Sequence, residues 1–393
     1  AIAPATEIYY TLDGSTPNTT LGTRYTSPLS FSSAGVLRAV AVTAEGIESD
    51  PVTYNFLVNV PSAIQSVPVV CLTADWDTSI HKPHGIASVE GGSVSRWVAD
   101  SPDDYNMPMQ RGRPYERKVH MNVLYTDTIN NTNYQANCGV RLAGSTFSRK
   151  LFRFQDLSGV WSSNDATIEK FHKKVQFNLF FRDAYGSSRF KNPLFGDPDT
   201  KLKSIRVRSG KNDIINPFIT DEVVRRLQDN MGHAVSRGTI AAVYVNGVFR
   251  HYYNPTPRYD ENFFQEAYGS ARDFDIINHG GVAEGDSMAF DEMIAFARNN
   301  DLSIEENYRE MERRLDIENF IDYLLVECYS ANWDWPNNNW AASRERSANG
   351  RWRYHVWDAE GSFEARNDEA NAFTGANHSR PEKALNDIDT GIA

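Results

Sequence analysis

Apolar and polar positions alternate through most of the first 250 residues and then give way to a three- and four-residue spacing. EIYYTL (7–12) alternates, DGSTP (13–17) is a dense turn signal, and VLRAVAVT (36–43) alternates again. No helical period appears before Val60, so residues 1–59 are expected to form a small all-β module. After a junction at Pro61–Val67, strands are predicted in VPVVCLT (67–73), VHMNVLYT (119–126), CGVRLAG (138–144), KKVQFNLFFR (173–182) and LKSIRVR (202–208). TIAAVYVNGVFRHYY (239–253) carries Asn-Gly at its centre, which predicts a hairpin. One helix is expected among the strands, DEVVRRLQDNMG (221–232), with Thr220 as its cap and acids in its first turn.

Beyond Pro257 the spacing predicts helices over 286–300, 303–315 and 317–331. The last runs into NWDWPNNNW (332–340), and a hairpin-like pair follows, ending in RWRYHVWDAEGSF (351–363). The expected organisation is therefore α+β: a module (1–59), a strand-rich segment (66–256), a helical segment (257–365) and a polar tail (366–393). No repeat of 20–50 residues is present.

At 393 residues the chain suits two or three domains, and 40 % apolar residues with 12 % aromatics suffice for a large core. The formal net charge of −11 argues against nucleic acid or an anionic membrane as a general partner. No apolar run is long enough for a membrane span. Starting at Ala1 without an initiator Met, the chain is expected to be a mature or trimmed piece of something longer. Cys71, Cys138 and Cys328 are far apart and form no CxxC, so a zinc site is not expected, while one bridge plus a free thiol stays open.

Phosphate-loop (GxxxxGKS/T), GxGxxG, HExxH and GxSxG motifs are all absent. Asp334 and Asn339, however, are five residues apart, the spacing of D-x-x-x-x-N in a protein-kinase catalytic loop. Asp358 in WDAEG (357–361) follows where a kinase places a metal-binding Asp, with Glu360 as a second carboxylate. Phosphoryl transfer needs metal-neutralised charge and in-line positioning rather than covalent help, and these groups suit it. On spacing alone, an Asn-rich connection with Asp334 capping a turn explains the same residues. Trp333, Trp335, Trp340 and Trp357 would then be core, or else a rigid, dry wall around the carboxylates.

LDIENFIDYLLVECYSANWDWPNNNW followed by WRYHVWDAEGSF resembles the spore coat protein H (CotH) kinase-like family. Weaker agreement runs upstream through VYVNGVFRHYY, IRVRSGKND, FFRDAYGSSRFKNPLFGD and CGVRLAGSTFSRK, so the resemblance spans about residues 66–365. It implies a two-lobed atypical protein-kinase-like fold that uses ATP and Mg2+ to phosphorylate Ser or Thr of a protein substrate. Asp334 would be catalytic, with Asn339, Asn338, Asp358 and Glu360 as metal ligands. Lys174, Arg149, Ser145 and Arg208 would contact the nucleotide, although only one of Lys173 and Lys174 could reach a phosphate, and a solvated strand end for that pair, a plain turn around Ser145 and Arg149 and a strand-end cation at Arg208 stay open. Glu222 pairs with the lysine in this scheme or stabilises its own helix.

Separately, IYYTLDGSTPNTT (8–20) resembles the small β-sandwich at the C-terminus of chitobiases and hexosaminidases. Together the two resemblances imply an extracellular or bacterial cell-surface protein. Its partners would be a protein substrate or surface-layer and matrix proteins, with polysaccharide reached through the module. Two departures from the kinase pattern point the other way, toward an inactive scaffold. Val175 falls on the family's usual lysine, and Pro257 stands where a Glu is usual.

Overall fold

The structure is a computed structural model. It describes residues 6–81, 83, 85–93, 97–125, 133–144, 175–197, 199–210, 219–332, 335–336 and 338–363, plus the backbone of the short strands Phe152–Phe154 and Trp161–Ser163. The fold mixes helices with several sheets and begins with an all-β module. It divides into two compact units, one of residues 1–209 with 239–255 and one of 210–238 with 256–393.

In the first unit, β1 (Glu7–Thr11), β2 (Thr23–Arg24), β3 (Gly35–Val42) and β4 (Val52–Phe56) form one antiparallel sheet in the order β2-β1-β3-β4. Among the described residues the module is thus a single four-stranded sheet, where two facing sheets were expected. Along β3, Val36, Arg38, Val40 and Val42 are buried in strict alternation with half-buried residues, so one face is covered more deeply than the other.

After a one-turn helix α1 (Ser62–Gln65) come β5 (Val69–Thr73), β6 (Arg117–Leu124), β7 (Tyr134–Ala143), β8 (Gln176–Phe180), β9 (Ser204–Arg208), β10 (Ala241–Val245) and β11 (Val248–Pro257). These seven strands close into a barrel in the order β8-β9-β11-β10-β5-β6-β7, with β5 and β10 parallel. Every second residue fills the interior: Val70 and Leu72, Val119, Met121 and Val123, Phe177 and Leu179, Ile205 and Val207. Cys71 and Cys138 are buried in this unit, and all three cysteines of the chain are free thiols.

The predicted Asn-Gly turn joins β10 to β11, with Asn246 at φ 49° and Gly247 at φ 77°. The Asn246 amide also donates to the Ala74 carbonyl (2.8 Å) and accepts from the Ala74 N–H (2.9 Å). Polar contacts fasten the module to the barrel. Asp75 accepts from the Thr16 N–H (2.6 Å) and hydroxyl (2.7 Å) and faces Arg38, while Asn55 donates to Asn122 (2.7 Å).

The second unit holds α2 (Thr220–Asn230), α3 (Glu261–Tyr268), β12 (Phe274–Asn278), β13 (Gly281–Glu284), α4 (Met288–Asn299), α5 (Glu305–Arg314), α6 (Ile317–Ser330), β14 (Trp340–Glu345) and β15 (Arg353–Val356). Helix α2 lies inside the stretch expected to be strand-rich, yet it packs with this unit. Thr220 is its first helical residue rather than its cap, and the residue in the cap position, Ile219, makes no side-chain capping bond. Helix α3 escaped the periodicity because it is only eight residues long. Its signals are terminal: Asp260 accepts from the Phe263 N–H (2.9 Å), and Gly269 closes it at φ 61°.

The sheet order is β13-β12-β14-β15, over a core that includes Met293, Leu315, Tyr323, Trp335, Trp352 and Tyr354. Edge strand β15 is completed by two helical amides. Gln228 of α2 donates to the Tyr354 carbonyl (2.8 Å) and accepts from the Val356 N–H (2.9 Å). Asn319 of α6 accepts from the Tyr354 N–H (2.6 Å) and donates to its carbonyl (3.2 Å). Both amides act as a neighbouring strand would.

Candidate functional site

The β14–β15 hairpin is registered with Trp340 opposite Val356. That register brings Asn339, one residue before β14, beside Asp358, two residues after β15. The Asn339 amide donates to the Asp358 backbone carbonyl at 2.9 Å. Both residues take the left-handed conformation, Asn339 at φ 61° and Asp358 at φ 58°, which Asn and Asp tolerate better than other non-glycine residues.

Two further contacts hold this end of the hairpin. The Ala359 N–H donates to Asp221 at the start of α2 (2.8 Å), pinning the single 3-10 turn Ala359–Gly361. The Asn339 N–H donates to Nδ1 of His279, an exposed residue in the β12–β13 turn (3.1 Å).

Asn339 is buried and Asn338 exposed, so the two neighbouring amides have different surroundings. Asp358 is half-buried, whereas Glu360 is only 3 % exposed inside the turn. Asp334, Trp333, Lys174, Arg149 and Ser145 lie outside the described residues. Arg208 is buried and ends β9 in the first unit. Glu222 is engaged locally, with Arg225 at 2.9 Å, Arg226 at 2.6 Å and the Gly238 N–H at 3.0 Å. Trp335 and Trp340 are core residues, Trp335 donating to the Tyr323 hydroxyl (2.7 Å), and Trp357 packs on Tyr259.

Behind the turn, Asp221 is paired with Arg225 (3.2 Å), and Glu327 of α6 is completely buried. Burial pushes the Glu327 carboxyl up to about 8; the Asn332 hydrogen bond opposes the shift and the Asp221 charge adds to it. His355, in β15, is held neutral. Burial drives its pKa down to about 3, Nδ1 donates to the Ala234 carbonyl (2.9 Å), and the Ser343 hydroxyl donates to Nε2 (2.8 Å).

Among the described residues no group of three or more His, Cys, Asp or Glu side chains is arranged to hold a metal ion. Magnesium with a nucleotide needs less than that, because one or two carboxylates and the phosphates complete its shell. The Asp358 carboxylate and Asn339 are hard oxygen donors of that kind. The Asn339 amide nitrogen is committed to the Asp358 carbonyl, so its oxygen is the atom suited to a cation.

The chain matches the CotH kinase protein family over residues 166–388, more than half its length. It belongs to that family. The CotH match takes in NWDWPNNNW and WDAEG, hence Asn338, Asn339, Asp358 and Glu360. It begins after β7, so Ser145 and Arg149 precede it. Residues 2–56 match the Fn3 associated family, with which the finer chitobiase-type likeness is compatible. No curated protein matches the chain.

Asp221, His279 and Glu327 did not emerge from the sequence. Asp221 and His279 reach this end of the hairpin from elements far away in the chain, which no local spacing reveals. Glu327 had a readable signal, a carboxylate on the same helical stripe as Phe320, Tyr323 and Ser330.

Proposed function

We propose that this CotH-family chain is an atypical protein kinase that transfers phosphate from ATP to a Ser or Thr hydroxyl of a protein, with Mg2+ as cofactor. The observation that supports it best is the Asn339–Asp358 bond, which sets an amide and a carboxylate side by side at one hairpin end. Bound there, magnesium would offset triphosphate charge. Asp358 is its principal carboxylate in this reading, with Asn339, Asn338 and Glu360 as the further ligands. Asp221 fixes the turn that carries Asp358 by holding the Ala359 N–H. Asp334 orients and deprotonates the incoming hydroxyl, while Lys174, Arg149, Ser145 and Arg208 contact the nucleotide. The two-lobed kinase-like fold belongs to the same reading and rests on family membership. So do extracellular or cell-surface location, a surface-layer or matrix protein as substrate, and polysaccharide contact through the module.

Asp358→Asn should abolish magnesium-dependent ATP binding in calorimetry, because it weakens the ground-state complex. Asp334→Asn should leave binding intact and remove labelled-phosphate transfer, since its interaction matures only in the transition state. Wild-type protein that binds no ATP at millimolar magnesium would refute the reading. The second reading, an inactive scaffold or adhesion module, draws on Val175. This residue replaces the usual lysine and is buried in the barrel core at 1 % exposure.

A further inference from the structure

The far end of the same hairpin carries a different chemistry. Strand β14 is six residues long, which puts Glu345 roughly 17–20 Å from Asn339 at about 3.3 Å per residue. There a cavity of about 440 Å³ opens between Arg272, Glu345, Arg351, Arg353 and the loop Ser347–Gly350. Three guanidinium groups and one carboxylate line it, in a chain whose formal net charge is −11.

The arginines are positioned but not used up. Arg353 and Arg351 share one oxygen of Asp316, at 2.9 Å and 3.3 Å, and Arg353 also lies over the Tyr268 ring at 4.7 Å. Arg272 sits 3.5 Å from Glu345 with its side chain 64 % exposed. Each guanidinium has five N–H donors, and these pairs engage only Nε of Arg272 and Arg353 and one Nη of Arg351. Donors are therefore in reserve on all three.

The loop is pre-formed as well. Arg344, paired with Asp275 (3.3 Å), donates to the Ser347 and Gly350 carbonyls at 3.1 Å each. A preorganised fork of guanidinium donors recognises planar or tetrahedral oxyanions, and the volume exceeds that of a single one.

We propose that this cavity is a binding site for a ligand bearing clustered oxyanions, phosphate or carboxylate, separate from the Asp358 end of the hairpin. The test is calorimetry in magnesium-free buffer containing a chelator, with inorganic pyrophosphate in one arm and a hexaglutamate peptide in the other. Wild-type protein should bind at least one of them, and the responding arm identifies the source of the oxyanions. Arg272→Gln with Arg351→Gln should weaken binding roughly tenfold or more, because two charge-assisted contacts are lost. Added salt should weaken the wild-type interaction. Arg353 is left intact because it packs on Tyr268, and Arg272→Gln alone, at an exposed position, serves if the double variant fails to fold. Absence of binding in both arms, or equal affinity in wild type and variant, would overturn the assignment.

Discussion

Glu327→Gln should change how stability depends on pH, by an amount that the structure allows to be worked out. The Glu327 carboxyl is fully buried, with Oε2 accepting from Asn332 at 3.2 Å and Oε1 meeting no hydrogen-bond partner among the described residues. Burial raises its pKa from 4.5 to about 8, so the folded chain holds a proton that the unfolded chain releases above 4.5. Folding therefore takes up a proton across that window. The stability tied to the protonated form is complete below about 4.5, is lost as pH rises toward 8, and changes no further beyond it.

The folding equilibrium should weaken about tenfold per pH unit, on the order of 4 kcal/mol over the window. Gln matches the shape of the protonated acid and is neutral throughout, so the variant should lack this slope. Near pH 5 it should be slightly less stable than wild type, by about 1 kcal/mol, because its amide N–H groups take the place of Oε1, which meets no partner among the described residues. Near pH 8 it should be more stable by roughly 2–3 kcal/mol. Urea midpoints followed by tryptophan fluorescence between pH 5 and 9 would measure both curves, Trp335 reporting on α6 through its bond to Tyr323. Parallel curves for wild type and variant would refute the reasoning.

Asn339→Gly keeps the left-handed backbone but deletes the amide, so magnesium-dependent nucleotide binding should fall at least about tenfold with little loss of melting temperature. Asn339→Ala should add about 1 kcal/mol of backbone strain, visible as a lower melting temperature than that of the glycine variant. Gln228→Leu leaves the Tyr354 carbonyl and the Val356 N–H short of a buried partner and should cost about 2–4 kcal/mol in chemical denaturation. Asp75→Ala removes the acceptor of two Thr16 hydrogen bonds; hydrogen exchange should quicken around residues 13–17 while the barrel strands stay protected.

Strands whose side chains alternate between core and surface were legible in the sequence, and so were the Asn-Gly turn and the three long helices of the second unit. Each is a local pattern repeated over enough residues to stand out. Closure of the barrel was not legible, because it depends on which strands pair, and β5 with β10 joins residues about 170 apart in the chain. At the site, Asn339 and Asp358 were singled out individually, while their mutual bond follows from the Trp340–Val356 register, which spacing does not encode. Asp334, the catalytic residue expected from the D-x-x-x-x-N spacing, lies outside the described residues.

The amides that finish β15 also bear on how this unit meets other chains. A sheet edge normally offers a row of N–H and C=O groups to any extended segment that drifts past, which is how strands recruit one another into aggregates. Here the Tyr354 and Val356 positions already face Gln228 and Asn319, and α2 and α6 stand where the intruder would have to lie. Recruitment on that side would first require peeling a helix away. The protection is lopsided: across the sheet the outermost strand is β13, four residues long, with its first three exposed and, among the described residues, no amide clasp of this kind. Under destabilising conditions self-association through this sheet should therefore start from Gly281–Glu284 rather than from the strand that leads into Asp358.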